Sequence, residues 1–439
     1  MFRDVAPDGG PAGIVGPVIR TDVLVLGGGP AGAAAAIQCA SLGLDTILAD
    51  KATFPRDKHC GDGLTTGALR LLEDLGLDPA SVPSWQVVAD IQLYGPTGHG
   101  TPLELPAGPG YYAAVARRAE LDAAVLDLAA EAGATVLQGT ACTSVTEHDD
   151  RVRAELAGHS PVEARYVIAA DGAWSPTRKM LGLTRPGYRG DWHAFRQYFT
   201  DVTGPAAHSL CVSFESEILP GYSWSFPLPD RGANVGFGVR RDPTTRVQDM
   251  AGLWPELLER PALRRALGPD ARPEGPHRAW PIPASIDETV LTSRRTLFVG
   301  DAAAACDPMT GEGIAQALLT GRLAADALAH AGPLDGHRAR QGYEQAVQAA
   351  LVADHRMAAA LGAVLATEWG CRASIALATL TPWTRRNFAR WLFEDYPRAI
   401  IVTPRRWRRG MFTGPGAFAR AELSAGSSRP SPMVGAAAS

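Results

Sequence analysis

Cysteine is scarce in this sequence. The six cysteines contain no CxxC pair, and their density is far below that of a disulfide-stapled domain. Their spacing therefore predicts no zinc site, no redox pair and no metal centre, and is typical of a protein from a reducing cytoplasm. They are Cys39, Cys60, Cys142, Cys211, Cys306 and Cys371.

Excess charge and long apolar runs are also missing. A formal net charge of −4 and a pI near 6.2 exclude a nucleic-acid-binding body, because phosphate binding needs a concentrated basic surface. The most apolar window, Met357 to Leu380, is interrupted by Glu368 and Arg372. It predicts one or two buried or amphipathic helices and no membrane span. The N-terminus lacks the features of a secretory signal.

The length of 439 residues exceeds what one hydrophobic core usually holds, so two domains are expected, with enough chain for a deep cavity between them. Residues 1–20 are rich in glycine and proline and predict a loose arm. Residues 413–439 are rich in small residues and predict a disordered tail.

A glycine-rich turn follows the first apolar strand, in "TDVLVLGGGPAGAAAAIQCASLGLDTILADK". Gly27, Gly29 and Gly32 form a GxGxxG pattern before an alanine-rich helix, and Asp50 closes the second strand. This order is typical of a dinucleotide site, with the pyrophosphate at the helix N-terminus and the carboxylate on the adenosine ribose. The alternative is a tight turn without a ligand.

Two further glycine motifs follow apolar strands. "YVIAADGAWSPTRKMLG" contains Asp171-Gly172, and "RTLFVGDAAAACDPMTGEGIAQAL" contains Gly300-Asp301, with Gly311 and Gly313 just before a helix. No second GxGxxG occurs, so the sequence predicts no separate nicotinamide domain.

These three motifs resemble the flavoprotein hydroxylase superfamily, whose p-hydroxybenzoate-hydroxylase-like fold binds FAD. The resemblance implies that Asp301 binds the ribityl chain, that Gly311 and Gly313 face the flavin ring, and that Arg118 lies near the pyrophosphate, unless it is a solvated arginine opening a helix. The expected FAD-binding residues are Gly27, Gly29, Ala31, Gly32, Asp50, Lys51, Arg56, Cys60, Gly61, Arg118, Asp171, Gly172, Gly300, Asp301, Pro308, Gly311, Gly313 and Ile314.

The segments "KATFPRDKHCGDGL" and "PGYSWSFP" resemble the geranylgeranyl reductase family, flavoenzymes that hydrogenate isoprenoid double bonds. The resemblance extends from about Thr21 to Ala329. Aromatic hydroxylases usually show GDAAH, where this chain reads "GDAAAACDP". Flavin-dependent halogenases rely on a lysine far from any glycine loop, whereas the only lysines here are Lys51, Lys58 and Lys179.

The fold implied by the resemblance is α/β: an FAD-binding Rossmann-type domain, an antiparallel β-sheet substrate domain and C-terminal helices. We expect the FAD-binding domain at residues 21–80, 108–185 and 281–345. The substrate domain is expected at 81–107 and 186–280, and a helical region at 346–412.

An aromatic row stands out in the second segment. Tyr222, Trp224 and Phe226 alternate along an expected strand, Tyr222 to Leu228, which "PDRG" turns into a second strand from Ala233 to Val239. Alone, such a row is more often a packed sheet face. The resemblance places it on the cavity wall, where aromatic faces suit an apolar chain and a transient carbocation.

The resemblance places Cys60 near the flavin ring, where it would gate the substrate, tune the flavin or assist proton delivery. The alternative is a buried cysteine acting as a small hydrophobe. Arg56, Asp57 and Lys58 either orient the flavin or a polar substrate head, or are solvated loop charges. The proton donor stays open among carboxyl, thiol and water.

Residues 382–412, the basic-aromatic segment, interleave arginines with Trp383, Phe388, Trp391, Trp407 and Phe412. Peripheral contact with an anionic membrane and helices closing over the substrate domain are both consistent with this pattern.

We therefore predict a cytoplasmic FAD-dependent reductase of carbon–carbon double bonds in a prenyl lipid or similar apolar substrate. Its electrons come directly from a transient donor such as NAD(P)H or ferredoxin. The alternatives are a flavin-dependent monooxygenase and a non-enzymatic flavin-bound lipid carrier.

Overall fold

A computed structural model describes residues 18–106, 108–241 and 247–419. Its strands are β1 Ile19–Leu26, β2 Thr46–Ala49, β3 Gly63–Thr65, β4 Gln86–Val87, β5 Asp90–Tyr94, β6 Gly100–Glu104, β7 Ala113–Val115, β8 Thr135–Leu137, β9 Cys142–Glu147, β10 Val152–Leu156, β11 Val162–Ala169, β12 Trp192–Thr200, β13 Leu210–Ser213, β14 Tyr222–Leu228, β15 Gly232–Arg240, β16 Arg272–Ile282 and β17 Thr296–Phe298.

The helices follow the same chain order. They are α1 Pro30–Ser41, α2 Thr66–Asp74, α3 Arg118–Glu131, α4 Pro176–Met180, α5 Val247–Leu258, α6 Pro261–Leu267, α7 Ile314–Ala331, α8 Gly336–Val347, α9 Ala353–Leu365, α10 Glu368–Thr379 and α11 Pro382–Leu392. A π-helical stretch, Gln348–Val352, joins α8 to α9.

The first sheet has the order β8-β2-β1-β11-β10-β9, with β17 beside β11. The strands β8, β2, β1, β11 and β17 are parallel, as strands joined by crossover helices must be. Helix α1 crosses close to α7, because a Cβ on Gly321 would lie 2.2 Å from the carbonyl oxygen of Ala31. The glycine motifs at the ends of β1, β11 and β17 therefore meet at one edge of this sheet.

The second sheet has the order β16-β12-β15-β14-β13-β5-β6. The expected hairpin is present, since β14 and β15 pair antiparallel with Trp224 opposite Gly236. One pair departs from the expected antiparallel sheet: β13 and β5 are parallel, which is possible because a long connection, and not a hairpin, joins them. Helices α5 and α6 cover one face of this sheet. A third, small sheet has the order β3-β7-β4.

The two predicted flexible ends lie mostly outside the described residues, at 1–17 and 420–439. Within the described part, their inner boundaries were placed wrongly. At the N-terminal end, strand β1 begins at Ile19, inside the arm expected at residues 1–20. At the C-terminal end, the tail was expected from residue 413, but Phe418 is buried and Ala417 forms a β-bridge with Tyr111. Burial of Phe418 in the main core keeps the chain packed to this point.

The apolar window is divided between α9 and α10, as expected. Among the described residues no single helix is long and apolar enough to cross a membrane. One pair, Gly336–Leu365 with Glu368–Thr379, meets that length and composition together but bends by 116° at its break.

Candidate active site

A cavity of about 670 Å³ lies between the glycine motifs, the second sheet and the C-terminal helices. The glycine turns and the Cys60 loop border one part of it. The aromatic row and side chains of α9, α10 and α11 border the rest. The sequence suggested that C-terminal helices close over the substrate domain. In the structure these helices form part of the cavity wall.

The GxGxxG turn is closely packed at Gly27 and Gly32 but has space beside Gly29. A Cβ on Gly27 would lie 2.4 Å from the carbonyl oxygen of Ala170, and one on Gly32 would lie 1.8 Å from the oxygen of Gly27. At Gly29 the nearest atom is Nη2 of Arg56, at 3.5 Å. No described side chain caps α1 at Gly29. Its first N–H groups are therefore available to a phosphate.

Asp50 closes β2 beside this turn. Its carboxylate accepts hydrogen bonds from the backbone N–H groups of Gly28, at 2.6 Å, and Ala52, at 2.7 Å. Lys51 borders the cavity next to it. These bonds fix the carboxylate at the cavity edge, in a position that suits a ribose hydroxyl pair.

Arg118 opens α3 as a buried residue. Its guanidinium forms a bidentate ion pair with Asp122, at 2.7 and 2.8 Å, and Arg56 contacts the same carboxylate at 3.1 Å. The expectation of a solvated arginine is therefore wrong, since this charge is fixed in the wall.

The GD motif follows β17 as a short 3₁₀ turn. Asp301 lies 3.4 Å from Nζ of Lys58 and accepts a hydrogen bond from the thiol of Cys306, also at 3.4 Å. A Cβ on Gly313 would lie 2.8 Å from that sulfur, so any larger residue there would displace the Cys306 thiol. The geometry brings the predicted ribityl-binding carboxylate and the start of α7 together.

The DG motif holds the start of helix α4. The carboxylate of Asp171 accepts hydrogen bonds from the hydroxyl of Ser175, at 2.6 Å, and from the backbone N–H of Thr177, at 2.8 Å. These bonds hold the start of α4, and Gly172 has a φ of +82° that favours glycine. Both motif residues border the cavity.

The loop from 307 to 313 is held from two sides. Asp307 accepts hydrogen bonds from the backbone N–H and the hydroxyl of Thr310, at 2.8 and 2.9 Å, and pairs with the buried Arg398 at 2.9 Å. The hydroxyl of Tyr222 donates to the carbonyl oxygen of Thr310. The C-terminal region and the aromatic row therefore both position this loop.

Trp224 and Phe226 pack directly on the Cys60 loop. A Cβ on Gly61 would lie 3.5 Å from the Trp224 ring, and one on Gly63 would lie 3.1 Å from the Phe226 ring. The centres of the two rings are 6.2 Å apart. The row is therefore a wall against the "CGDG" segment, and a side chain at Gly63 would press on the Phe226 ring.

Asn234 joins the row to the loop. Its Oδ1 accepts from Nε1 of Trp224 at 3.1 Å, and its Nδ2 donates at 2.8 Å to both the carbonyl oxygen of Cys60 and Oδ2 of Asp62. These bonds fix the orientation of the indole ring relative to the loop.

Asp62 is fully buried, with a φ of +65°. Burial raises the pKa of its carboxyl to about 6, although hydrogen bonds from Asn234 and Tyr198 oppose the shift. Burial also raises the pKa of the Cys60 thiol, against the nearby charge of Arg118. The thiol is therefore neutral at neutral pH.

The charges before Cys60 are paired within the protein. Asp57 contacts Arg196 at 2.5 Å, and Nζ of Lys58 lies 4.1 Å from the centre of the Trp280 ring. His59 stacks on the same ring at 5.3 Å. These side chains form an ordered rim and are not freely solvated.

Most of the residues predicted from sequence border this one cavity; Gly32 and Pro308 do not. Gly32 lies inside the turn, where the backbone of Gly27 leaves no room for a side chain. The individual roles of these residues stay predictions. Sequence reasoning missed five polar residues of the site. They are Asp62, Asn234, Glu312, Glu394 and Arg398.

Comparisons with known proteins agree with this geometry. The family described as FAD binding domain matches residues 20–358. A menaquinone reductase of Mycolicibacterium smegmatis is 35% identical over 336 residues, which cover 72% of this chain and 78% of that protein. A digeranylgeranylglycerophospholipid reductase of Methanothrix thermoacetophila is 31% identical over 323 residues, covering 71% and 78%.

Solved structures share the fold. A geranylgeranyl bacteriochlorophyll reductase-like protein from Thermoplasma acidophilum has a TM-score of 0.73 at 24% identity, covering 89% of this chain and 100% of that one. The halogenase PltM with bound FAD has a TM-score of 0.64 at 18% identity, covering 87% and 85%. The p-hydroxybenzoate-hydroxylase-like fold is therefore confirmed.

The open α1 N-terminus, the fixed Asp50 carboxylate and the paired glycine turns fit FAD, and the family match covers all of them. The cofactor prediction is confirmed. This chain belongs to the geranylgeranyl reductase family of FAD-dependent oxidoreductases.

Proposed function

We propose that the protein reduces carbon–carbon double bonds of an isoprenoid or similar long apolar substrate. The observation that carries this proposal is the aromatic wall of Tyr222, Trp224 and Phe226, which packs on the Cys60 loop inside the cavity. Relatives named menaquinone reductase and digeranylgeranylglycerophospholipid reductase support it. The part of the cavity lined by the aromatic row and by α9, α10 and α11 is largely apolar, which suits a prenyl chain.

The chain's own residues would orient and protect the reacting bond. Bound FAD, once reduced, supplies a hydride. An isolated prenyl double bond has no carbonyl to take up charge, so hydride delivery must be coupled to protonation. The faces of Trp224 and Phe226 would stabilise positive charge developing at a tertiary carbon. Side chains of Phe388 and Trp391, from α11, would exclude water from the same space.

The test is an anaerobic single turnover. The FAD-loaded protein is photoreduced and mixed with a panel of prenyl lipids that includes menaquinone and geranylgeranyl diphosphate. We expect flavin reoxidation together with a mass gain of two hydrogens per reduced bond. Reoxidation that requires oxygen, with a gain of one oxygen atom, would instead identify a monooxygenase. A lipid that binds but stays unreduced would identify a carrier.

Trp224→Ala sharpens this test. We expect this variant to retain FAD and to lose turnover, because the indole touches the cavity and not the dinucleotide turn. Ser225→Ala is the matched control, since its side chain points to the opposite face of the same strand. Loss of FAD from Trp224→Ala would show that the ring has a structural role.

The electron donor is proposed to be transient and to reach the flavin directly. The first sheet carries the GxGxxG turn described above, and the sequence contains no second one. Photoreduced protein bypasses the donor in the experiment above. Comparing NADPH, NADH and reduced ferredoxin as reductants of the bound flavin then identifies the donor class.

We also propose a cytoplasmic location with peripheral membrane contact through the basic-aromatic segment. All six cysteines are free, as a reducing compartment requires. Trp383 and Trp407 are 68% and 62% exposed, and Trp369, in the first turn of α10, is 80% exposed. Exposed indoles among arginines suit an anionic lipid surface.

The membrane contact is tested by co-sedimentation with vesicles. We expect binding to vesicles containing anionic lipid and weaker binding to purely zwitterionic ones. The double variant Trp383→Ala/Trp407→Ala should lose binding, whereas Trp174→Ala, which removes an exposed indole elsewhere, should keep it. Equal binding by all three proteins would contradict the proposal.

A further inference from the structure

Three groups with raised pKa values border the cavity near the aromatic row and can be compared as sources of the proton. They are the thiol of Cys60 and the carboxyls of Asp62 and Glu312. Glu312 precedes α7, within the "TGEG" turn of the GD motif region. Each group can protonate the substrate only through an oxygen or sulfur that is free to face it.

We propose that Glu312 is the acid that protonates the substrate, and that Glu394 is the neighbouring carboxylate that keeps the proton on Glu312. This proposal rests on the proposed reductase function. It assigns a catalytic role to a residue of the loop and a supporting role to a residue that follows α11.

The two carboxyl oxygens of Glu312 have different surroundings. Oε1 accepts hydrogen bonds from the backbone N–H groups of Ile314, at 2.8 Å, and Ala315, at 3.0 Å. None of the described residues donates a hydrogen bond to Oε2, and the side chain borders the cavity. The proton therefore belongs on Oε2. The two N–H groups at the start of α7 would stabilise the carboxylate that remains after transfer.

Glu394 is fixed against the first turn of α7, which begins two residues after Glu312. It accepts hydrogen bonds from Nε2 of Gln316 at 2.8 Å and from the hydroxyl of Thr65 at 3.2 Å, and it lies 3.4 Å from Arg398. Arg398 is shared with Asp307, so its single charge does not neutralise both carboxylates. Burial raises the pKa of Glu394 as well, but the charge of Arg398 opposes that shift, so Glu394 is the carboxyl of the pair that holds the negative charge.

The surroundings favour a protonated Glu312 at neutral pH. Burial raises the pKa of Glu312 to about 8, with Glu394 adding to the shift and the bonds from Ala315 and Ile314 opposing it. An acid with a pKa near the working pH is well matched to proton transfer. The charged or titratable groups that act on it from the surrounding elements are Glu394, Arg398, Asp307, Tyr222, Cys60 and Cys306.

The other two groups suit this task less well. Oδ2 of Asp62 is engaged by Tyr198 and Asn234, and Oδ1 is buried without a hydrogen-bond partner among the described residues. Its role is to anchor the Cys60 loop. The thiol of Cys60 has a pKa raised above its ordinary value and is a much weaker acid than a carboxyl.

The proposed step adds one hydride and one proton across the double bond. One alkene carbon receives a hydride, which carries two electrons, from reduced FAD. The other carbon receives a proton from Oε2 of Glu312. The π bond is broken and two C–H bonds form. Glu312 is left as a carboxylate and recovers a proton from solvent before the next turnover.

The first experiment follows single-turnover reoxidation by substrate over a range of pH. In the wild type we expect the rate to fall above about pH 8, where the acid loses its proton. Glu312→Gln should slow the step by about 100-fold or more and abolish this pH dependence. Glu394→Gln should move the decline to lower pH, because it removes the neighbouring negative charge.

The second experiment measures unfolding of the same proteins against pH and needs no substrate. The carboxyl of Glu312 has a higher pKa folded than unfolded, so its contribution to stability is lost as pH rises from about 4.5 to about 8. We expect Glu312→Gln to flatten this part of the profile. If the wild type reduces no lipid, the proposed function fails, while this profile still tests the proton on Glu312.

Three results would overturn the assignment. The first is a Glu312→Gln rate within about twofold of the wild type. The second is a loss of the pH dependence in Asp62→Asn and not in Glu312→Gln. The third is a Glu394→Gln profile that does not shift, which would show that the two carboxyls are uncoupled even if Glu312→Gln folds poorly.

Discussion

The two faces of the second sheet carry similar aromatic side chains in opposite settings. On one face, Phe195 and Phe237 stack at 5.0 Å between ring centres, and Trp254 of α5 stacks on Phe237 at 5.9 Å. On the other face, Trp224 and Phe226 border the cavity. One face is closed by helices, whereas the other is open to a ligand.

The residues opposite each row explain the difference. Tyr222 and Trp224 face Gly238 and Gly236 across the hairpin, and Phe226 faces Asn234. Two glycines and one amide leave room above the sheet and fix the indole by a hydrogen bond. On the covered face, aromatic rings oppose other rings. The alternation of aromatic residues marks a strand, and the partner strand determines whether its face is core or wall.

The largest predicted effect on stability lies on the covered face. Phe237→Ala should lower the free energy of unfolding by about 3–5 kcal/mol, because it leaves a cavity between Phe195 and Trp254. Phe226→Ala, on the open face, should cost clearly less, since the Phe226 ring lies on the cavity wall and is only partly buried. Denaturant unfolding of the two variants measures the difference. Equal losses would show that both faces are ordinary core.

Asn234→Ala comes next in size. It removes the partner of three buried polar groups, on Trp224, Cys60 and Asp62, and should cost about 1–3 kcal/mol of unfolding free energy. It should also reduce turnover, because the indole loses its fixed orientation. The measurements are denaturant unfolding and anaerobic single turnover. Full turnover in a destabilised Asn234→Ala would show that the hydrogen bonds stabilise the fold without positioning the wall.

The pH dependence of stability should have opposite signs on the two faces. On the open face, the raised pKa of Asp62, about 6, means that stability is lost as pH rises from about 3.8 to about 6. On the covered face, burial and Arg241 lower the pKa of His193 to about 4, so stability is lost as pH falls from about 6.5 to about 4.

The variants Asp62→Asn and His193→Gln separate these contributions. Relative to the wild type, Asp62→Asn should gain stability as pH rises through the first window, and His193→Gln should gain stability as pH falls through the second. Unfolding free energies measured at several pH values give both slopes. Parallel slopes for the two variants would contradict the assignment of burial as the common cause.

The motifs and the hairpin could be predicted because each lies within a short stretch of chain. The GxGxxG, DG and GD turns each combine an apolar strand with glycines, and the hairpin combines alternation with "PDRG". The observed strands β14 and β15 begin and end within one residue of the expected positions. Local patterns of this kind are imposed by backbone geometry.

The polar network could not be predicted in the same way. Asn234 meets Asp62 across 172 positions of sequence, and Thr65 meets Glu394 across 329. No periodic pattern encodes such contacts, because they depend on how the sheets and the C-terminal helices pack. A partial signal was present: Asp62 and Glu312 are both acidic residues beside glycines inside motifs that were already recognised.

The smallest predicted effect isolates a single hydroxyl on the covered face. Ser225 is fully buried, and its Oγ has no hydrogen-bond partner among the described residues. Ser213, on the same face of the adjacent strand, donates to Glu215 at 2.8 Å. Because an unpaired buried hydroxyl costs free energy, Ser225→Ala should raise the free energy of unfolding by about 1 kcal/mol, whereas Ser213→Ala should lower it by a similar amount. Denaturant unfolding of the two variants tests this, and changes of the same sign would mean that Ser225 has a partner, such as an ordered water, within the closed face.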